Sequence, residues 1–156
     1  MSSPTAAPSR AADPRAARFA AALTSLVLVV VLLLGESIVG TALLALQTAV
    51  FAVGALAGPP ATPYAALFRT VVRPRLAPPA EPDHHAGAPQ RFAQAVGLAF
   101  TGVALVFVLL GATFVGHLFV GLALVAALLN AAAGLCLGCE MYLVARRLKD
   151  HGARTA

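Results

Sequence analysis

Residues 17–34 read ARFAAALTSLVLVVVLLL and residues 38–57 read IVGTALLALQTAVFAVGALA, with only Gly35-Glu36-Ser37 between them. A helix needs about 20 predominantly apolar residues to cross a hydrocarbon core. Each block has that length, and the glycine and charge between them mark a tight turn. A second apolar tract, from Phe92 to Ala145, is interrupted by glycine, threonine and histidine near Gly111 to His117. It divides in the same way. The expected spans are 17–34, 38–57, 92–112 and 118–139. All 11 prolines fall outside them, as unbroken membrane helices require. The expected fold is therefore all-α, a four-span transmembrane bundle of two hairpins within a membrane domain over 13–147. Residues 1–12 read as a disordered tail and 148–156 as a cytoplasmic tail.

Composition agrees. The 156 residues are 60% hydrophobic and 11% charged, against about 45–50% and about 25% in soluble domains. This excludes disorder, a coiled coil and most nucleic-acid modules. All 11 Lys and Arg residues lie before span one or at its second residue (Arg18), between spans two and three, or after span four. The two short turns on the other side hold none. The positive-inside rule then puts both termini and the middle loop on the cytoplasmic side. The net charge of +5 is read as topology and contact with a lipid bilayer, not as a nucleic-acid patch. Span one has a basic start, but its apolar run exceeds a signal-peptide core and no cleavage motif follows. It reads as a retained anchor.

Spans one and three begin alike, with Arg18-Phe19-Ala20 and Arg91-Phe92-Ala93. Tyr64 with Arg69, and Tyr142 with Arg147, follow the second span of each half. The pattern fits a parallel repeat of a hairpin. It also fits the simple tendency of membrane helices to begin with arginine and an aromatic. In the middle loop, Thr62-Pro63 marks a helix start. Tyr64, Leu67, Phe68, Val71 and Val72 recur at helical spacing, with Arg69 and Arg73 between them, up to Pro74. This predicts a short amphipathic interfacial helix with its arginines near phosphates, or one packed on the cytoplasmic end of the bundle. Residues 77–90 are Pro-rich and polar and read as a mobile link.

The two cysteines of the chain form Cys136-Leu137-Gly138-Cys139, late in span four. Spacing of three puts both sulfurs near one helix face, with Cα atoms about 5 Å apart, inside disulfide range. Closing that bond within a regular helix strains it, and Gly138 could relax the backbone. The cytosol is reducing, which argues against a structural disulfide. The pair thus reads as a candidate redox dithiol, with Cys139 nearer the water attacking first and Cys136 resolving. The plain alternative is that both cysteines only pack. A metal site would need further ligands such as His84 and His85, and neither a metal nor a cofactor is expected. Gly134 and Gly138 read as a small-residue packing stripe with Asn130 one turn earlier. Gln47, mid-span, must find a partner inside the bundle, and Asn130 is the expected one. Gln94 is the remaining intramembrane polar residue.

Several of these segments together resemble a family. They are Asp13-Pro14-Arg15 with Arg18-Phe19; Tyr64 with Leu67-Phe68-Arg69 and Arg73-Pro74-Arg75; Pro89 with Arg91-Phe92-Ala93-Gln94 and Gly97; and Cys136-Leu137-Gly138-Cys139-Glu140-Met141-Tyr142. Over residues 13–147 the chain is similar to bacterial membrane proteins grouped as domain-of-unknown-function family 4395. That family carries no established activity. The resemblance implies thiol or sulfur chemistry, because its members are often encoded beside thioredoxin-like proteins and rhodanese-type sulfurtransferases. The expectation is a membrane component of thiol-redox or sulfur-transfer metabolism. Its partners would be a thioredoxin-like protein or a sulfurtransferase, or a second copy of the chain. The alternatives are a non-enzymatic membrane anchor or scaffold and a small permease subunit for a sulfur compound.

Overall fold

The computed structural model describes residues 13–77 and 87–154. The tail expected over 1–12, most of the link expected over 77–90, and His84 and His85 lie outside these residues. Among the described residues the fold is all-helical: α1 (Pro14–Leu34), α2 (Ile38–Leu56), α3 (Pro63–Leu67), α4 (Ala88–Leu109), α5 (Thr113–Ala133) and α6 (Leu137–Arg154). Helices α1, α2, α4 and α5 are each long and apolar enough to cross a membrane, which makes this a multi-pass membrane protein. Their surfaces suit lipid. Leu33 is 81% exposed and Ile38 89% exposed, a pattern that water would penalise and acyl chains favour.

Each helix begins and ends for a local reason. Asp13 caps α1, its carboxylate accepting from the Arg15 N–H at 3.0 Å, with Pro14 in the first turn. Ser37 caps α2 by accepting from the Gly40 N–H at 3.0 Å. Both are favoured N-terminal residues because they satisfy amides that no helical carbonyl reaches.

The far ends of α2 and α5 are closed by arginines from other helices. Arg91, in the first turn of α4, donates from Nη2 to the Leu56 carbonyl at 2.7 Å and to Ala55 at 3.1 Å. Arg18, in α1, donates from Nη2 to the Ala132 carbonyl at 2.8 Å and from Nε to Ala131 at 3.3 Å. The last carbonyls of a helix have no internal partner, and a guanidinium fork suits two neighbouring carbonyls at once. These bonds bring the starts of α1 and α4 and the ends of α2 and α5 to one basic end. At the opposite end the Thr113 hydroxyl donates to the Glu36 carboxylate, joining the two turns.

The ring order follows. Helix α1 packs chiefly on α5, and α2 on α4, while α4 and α5 form a close hairpin. Leu28, Val31, Leu44, Ala104 and Val120 form the buried centre. Phe119 packs against Phe100 and Phe107 of α4 at 5.8 and 6.2 Å. Thr24, Ser25, Gln47 and Thr101 are buried polar residues. Ser25 and Thr101 donate to carbonyls one turn earlier, which satisfies a hydroxyl without leaving the helix. Gln94 lies across Gly54, so closely that a Cβ there would meet its Oε1 at 2.5 Å.

The middle loop departs from a regular amphipathic helix. Thr62 caps it as expected, accepting from the Ala65 N–H at 3.3 Å. After Leu67 the backbone widens to a π-turn over Phe68–Val72, in which the Arg73 N–H reaches the Phe68 carbonyl, and closes in a 3-10 turn over Arg73–Arg75. Pro74 has no N–H for the carbonyl one turn back and its ring crowds that carbonyl, so the spacing opens. Only part of the apolar face turns into the bundle, since Leu67 and Val71 stay exposed while Tyr64 and Val72 are half-buried. Phe68 is 2% exposed and packs on Phe19 at 5.6 Å.

Tyr64 donates its hydroxyl to Gln47 Oε1 at 2.6 Å. Gln47 thus has its bundle partner, and that partner is Tyr64 rather than Asn130. Its Nε2 stays unpartnered. Burial pushes the Tyr64 phenol above its ordinary value of 10.0, because the anion would lose its water. Tyr64 is therefore a neutral donor across the physiological range. Arg69 is held to the Pro60 carbonyl at 2.7 Å, and Arg73 is exposed.

Two outcomes are expected in detergent unfolding titrations. R91A and R18A should each lose about 1 kcal/mol, since charge-assisted bonds to exposed carbonyls are partly screened. R75A, at an arginine that donates to the Val71 carbonyl of its own turn, should stay within about 0.5 kcal/mol. Y64F should cost about 1–2 kcal/mol by stripping the buried Gln47 oxygen of its donor. Q47L should cost less, and the double variant should cost less than the sum of the two.

Candidate functional site

The segment that joins α5 to α6 carries both cysteines. Helix α5 stops at Ala133. Gly134 follows in the left-handed conformation, φ 70°, a geometry that ends helices and that glycine adopts without a Cβ clash. Its N–H donates to the Asn130 carbonyl at 3.0 Å, and the Leu135 N–H donates to Leu129 at 3.4 Å. The Ala131 and Ala132 carbonyls, left over by this stop, are those that Arg18 binds.

This corrects the expected placement. The apolar run to 139 is not one regular helix, and Gly134 is a terminator rather than part of a packing stripe. Asn130 is half-buried. Its backbone carbonyl serves the stop, and its side chain does not meet Gln47.

Cys136 precedes the first residue of α6, and its carbonyl accepts from the Glu140 N–H at 3.0 Å, the first bond of that helix. Cys136 is thus the N-cap residue and Cys139 sits one turn in. Their Cα atoms are 5.2 Å apart, and the two sulfurs are joined as a disulfide. An open dithiol is expected from the reducing cytosol; in this structure the pair is instead in the disulfide form. A pair at the start of a helix avoids the geometric conflict of one in the middle, because the N-cap residue has a non-helical backbone.

Accessibility is reversed from the expected order. Cys139 is 2% exposed, while Cys136 is half-buried. Gly138 explains why Cys139 is inaccessible. A Cβ at Gly138 would lie 2.6 Å from the Cα of Ala93, so α6 lies directly against α4 here. Phe92 and Tyr142 pack beside this contact at 5.7 Å. Glu140 stands exposed in the first turn of α6, where the helix dipole favours a carboxylate. Among the described residues no cluster of three metal-ligating side chains occurs.

Sequence reasoning missed the roles of Arg18 and Arg91. The signal was present in the matched Arg-Phe pairs, which were read as helix starts rather than as caps for a different helix. The close approach at Gly138 is testable. G138A should lose about 1–3 kcal/mol in the same titration, because a methyl group has no room against the Ala93 backbone. G121A, whose added Cβ would meet nothing within 4 Å, is the neutral comparison.

No curated protein and no solved structure matches this chain. A family model does, over residues 12–147, a stretch that takes in the arginine caps, the middle loop and the cysteine pair. On that match the chain belongs to the family described as Domain of unknown function (DUF4395).

Proposed function

We propose that this protein is a membrane dithiol–disulfide carrier whose Cys136–Cys139 pair exchanges with a thioredoxin-like protein on the basic side of the membrane. The observation that carries the reading is the asymmetry of the pair. The two sulfurs are bonded at the first turn of α6, with Cys136 accessible and Cys139 covered. Thiol–disulfide exchange needs an accessible sulfur to be attacked and a shielded second sulfur to leave or to resolve.

The step balances with the partner's two thiols as reductant. A partner thiolate attacks Cys136 Sγ, the Cys136–Cys139 bond breaks, and Cys139 leaves as a thiolate that takes up a proton. The partner's second thiolate then attacks its own sulfur in the mixed disulfide and releases Cys136. The partner ends as a disulfide, and Cys136 and Cys139 end as thiols. The reverse sequence oxidises this chain and reduces the partner, the direction being set by the two potentials. Cys136 therefore replaces Cys139 as the residue that meets the partner. A sulfurtransferase is the second partner class supported by the resemblance to proteins encoded beside such enzymes.

The basic side is taken as the cytoplasm of a bacterial inner membrane, with both termini inside. Its support is the distribution of all 11 Lys and Arg residues. The reciprocal caps, Arg18 on α5 and Arg91 on α2, support descent from a duplicated hairpin. In each half the arginine precedes a phenylalanine that packs on the segment after that half's hairpin, Phe19 on Phe68 and Phe92 on Tyr142.

A second reading is favoured by the tight contact of Gly138 with Ala93. In it the pair is a staple that fixes α6 after the break at Gly134, within a membrane scaffold. Trapping separates the two. The probe is a thioredoxin-fold protein whose own resolving cysteine is replaced by serine, mixed with the oxidised membrane protein. A mixed disulfide through Cys136 is expected; with the remaining thiol of each variant first converted to a mixed disulfide with 5-thio-2-nitrobenzoate, whose thiolate is the leaving group, C139S should form the adduct and C136S none. No adduct in any of the three proteins would leave the staple as the account of the pair.

A further inference from the structure

Helix α6 has two apolar faces, and only one is covered. Gly138, Cys139 and Tyr142 face α4. Leu137, Met141, Val144 and Leu148 are 44%, 57%, 50% and 69% exposed. At 100° per residue these four fall within an arc of about 60°. They form one continuous stripe along three turns of the helix. Lys149 and Arg147 flank the stripe on its two sides, and Arg146 lies opposite it, all three exposed. Asp150 also lies away from the stripe. Glu140 is confined to the first turn, where the dipole accounts for it.

We propose that α6 is an interfacial helix that lies on the basic-side leaflet, its stripe among the acyl chains and its cations on anionic headgroup phosphates. Three observations converge on lipid as the occupant. The stripe begins four residues after a membrane-spanning helix ends, so its first residue stands at the bilayer boundary. Long basic side chains on both flanks can bury their stems and leave their charges at phosphate level. The cations of the helix share the end of the bundle that carries Arg18, Arg69 and Arg91, so their complement is an anionic surface. The proposal requires only that the four spans cross a bilayer. It stands whether or not the cysteines exchange.

The chain contains no tryptophan, so a single introduced indole reports its position without background. V144W, L148W and D150W would be made in the full-length protein. Each would be reconstituted into phosphatidylcholine vesicles with and without phosphatidylglycerol. V144W and L148W are expected to emit at shorter wavelength than D150W and to be quenched by brominated acyl chains. Acrylamide should quench them several-fold less than D150W. Phosphatidylglycerol should increase that protection, and K149Q in the L148W background should weaken the increase. Equal acrylamide quenching at all three positions overturns the proposal. Protection from acrylamide without quenching by brominated lipid also overturns it, and assigns the stripe to a protein surface such as a second copy. Protection that does not respond to phosphatidylglycerol overturns the anionic headgroup assignment.

Discussion

The organising constraint is the set of carbonyls at the ends of α2 and α5. The last carbonyls of a helix have no intrahelical partner, and leaving them open at a partly hydrated membrane boundary costs about 1 kcal/mol. Here each set is satisfied by an arginine from the first turns of another helix, Arg91 for α2 and Arg18 for α5. These bonds do more than close two helices. They fix which helices are neighbours, α1 with α5 and α2 with α4, and they hold all four ends in one layer. The apolar interior adds packing but little direction. Its buried centre is small, and most of the large apolar side chains face outward.

The cysteine site is a consequence of that layer. The amides of Leu135 and Cys136 turn away from the Ala131 and Ala132 carbonyls, and Arg18 takes both. Gly134 supplies the left-handed residue that turns the chain. A new helix then starts with Cys136 at its cap and Cys139 on the side facing α4. A CxxC inside a continuous membrane helix would place two equivalent thiols on one face. The break makes them unequal, one reachable and one covered, and that inequality is what exchange chemistry uses.

Much of the architecture was legible from the residues. Span two was located to within a residue by its apolar length and the Gly35-Glu36-Ser37 turn. The Thr62 cap was readable because its chemistry is local. The errors came where a local cue competed with apolar continuity or where the answer lay across the bundle. Gly134 after Asn130 and three alanines carries a helix-stop cue. Leu135, Cys136 and Leu137 continue the apolar run and mask it. Gln47 was expected to find a partner within the bundle and does. Nothing in its spacing points to Tyr64, whose approach depends on how the middle loop folds back. The order of cysteine accessibility follows from the break at Gly134 and the approach of α6 to α4 at Gly138, neither of which the CxxC spacing contains.

The central claim is that Cys136 and Cys139 are a working redox pair rather than a fixed staple. Its most direct test is the redox state of the two residues in the native membrane, read by differential alkylation and mass spectrometry before and after a thiol oxidant or reductant is applied to intact cells. The account predicts a mixed population in resting cells that shifts fully and reversibly toward disulfide or dithiol within minutes, with both cysteines changing together. A pair that stays in one state through both challenges would contradict it.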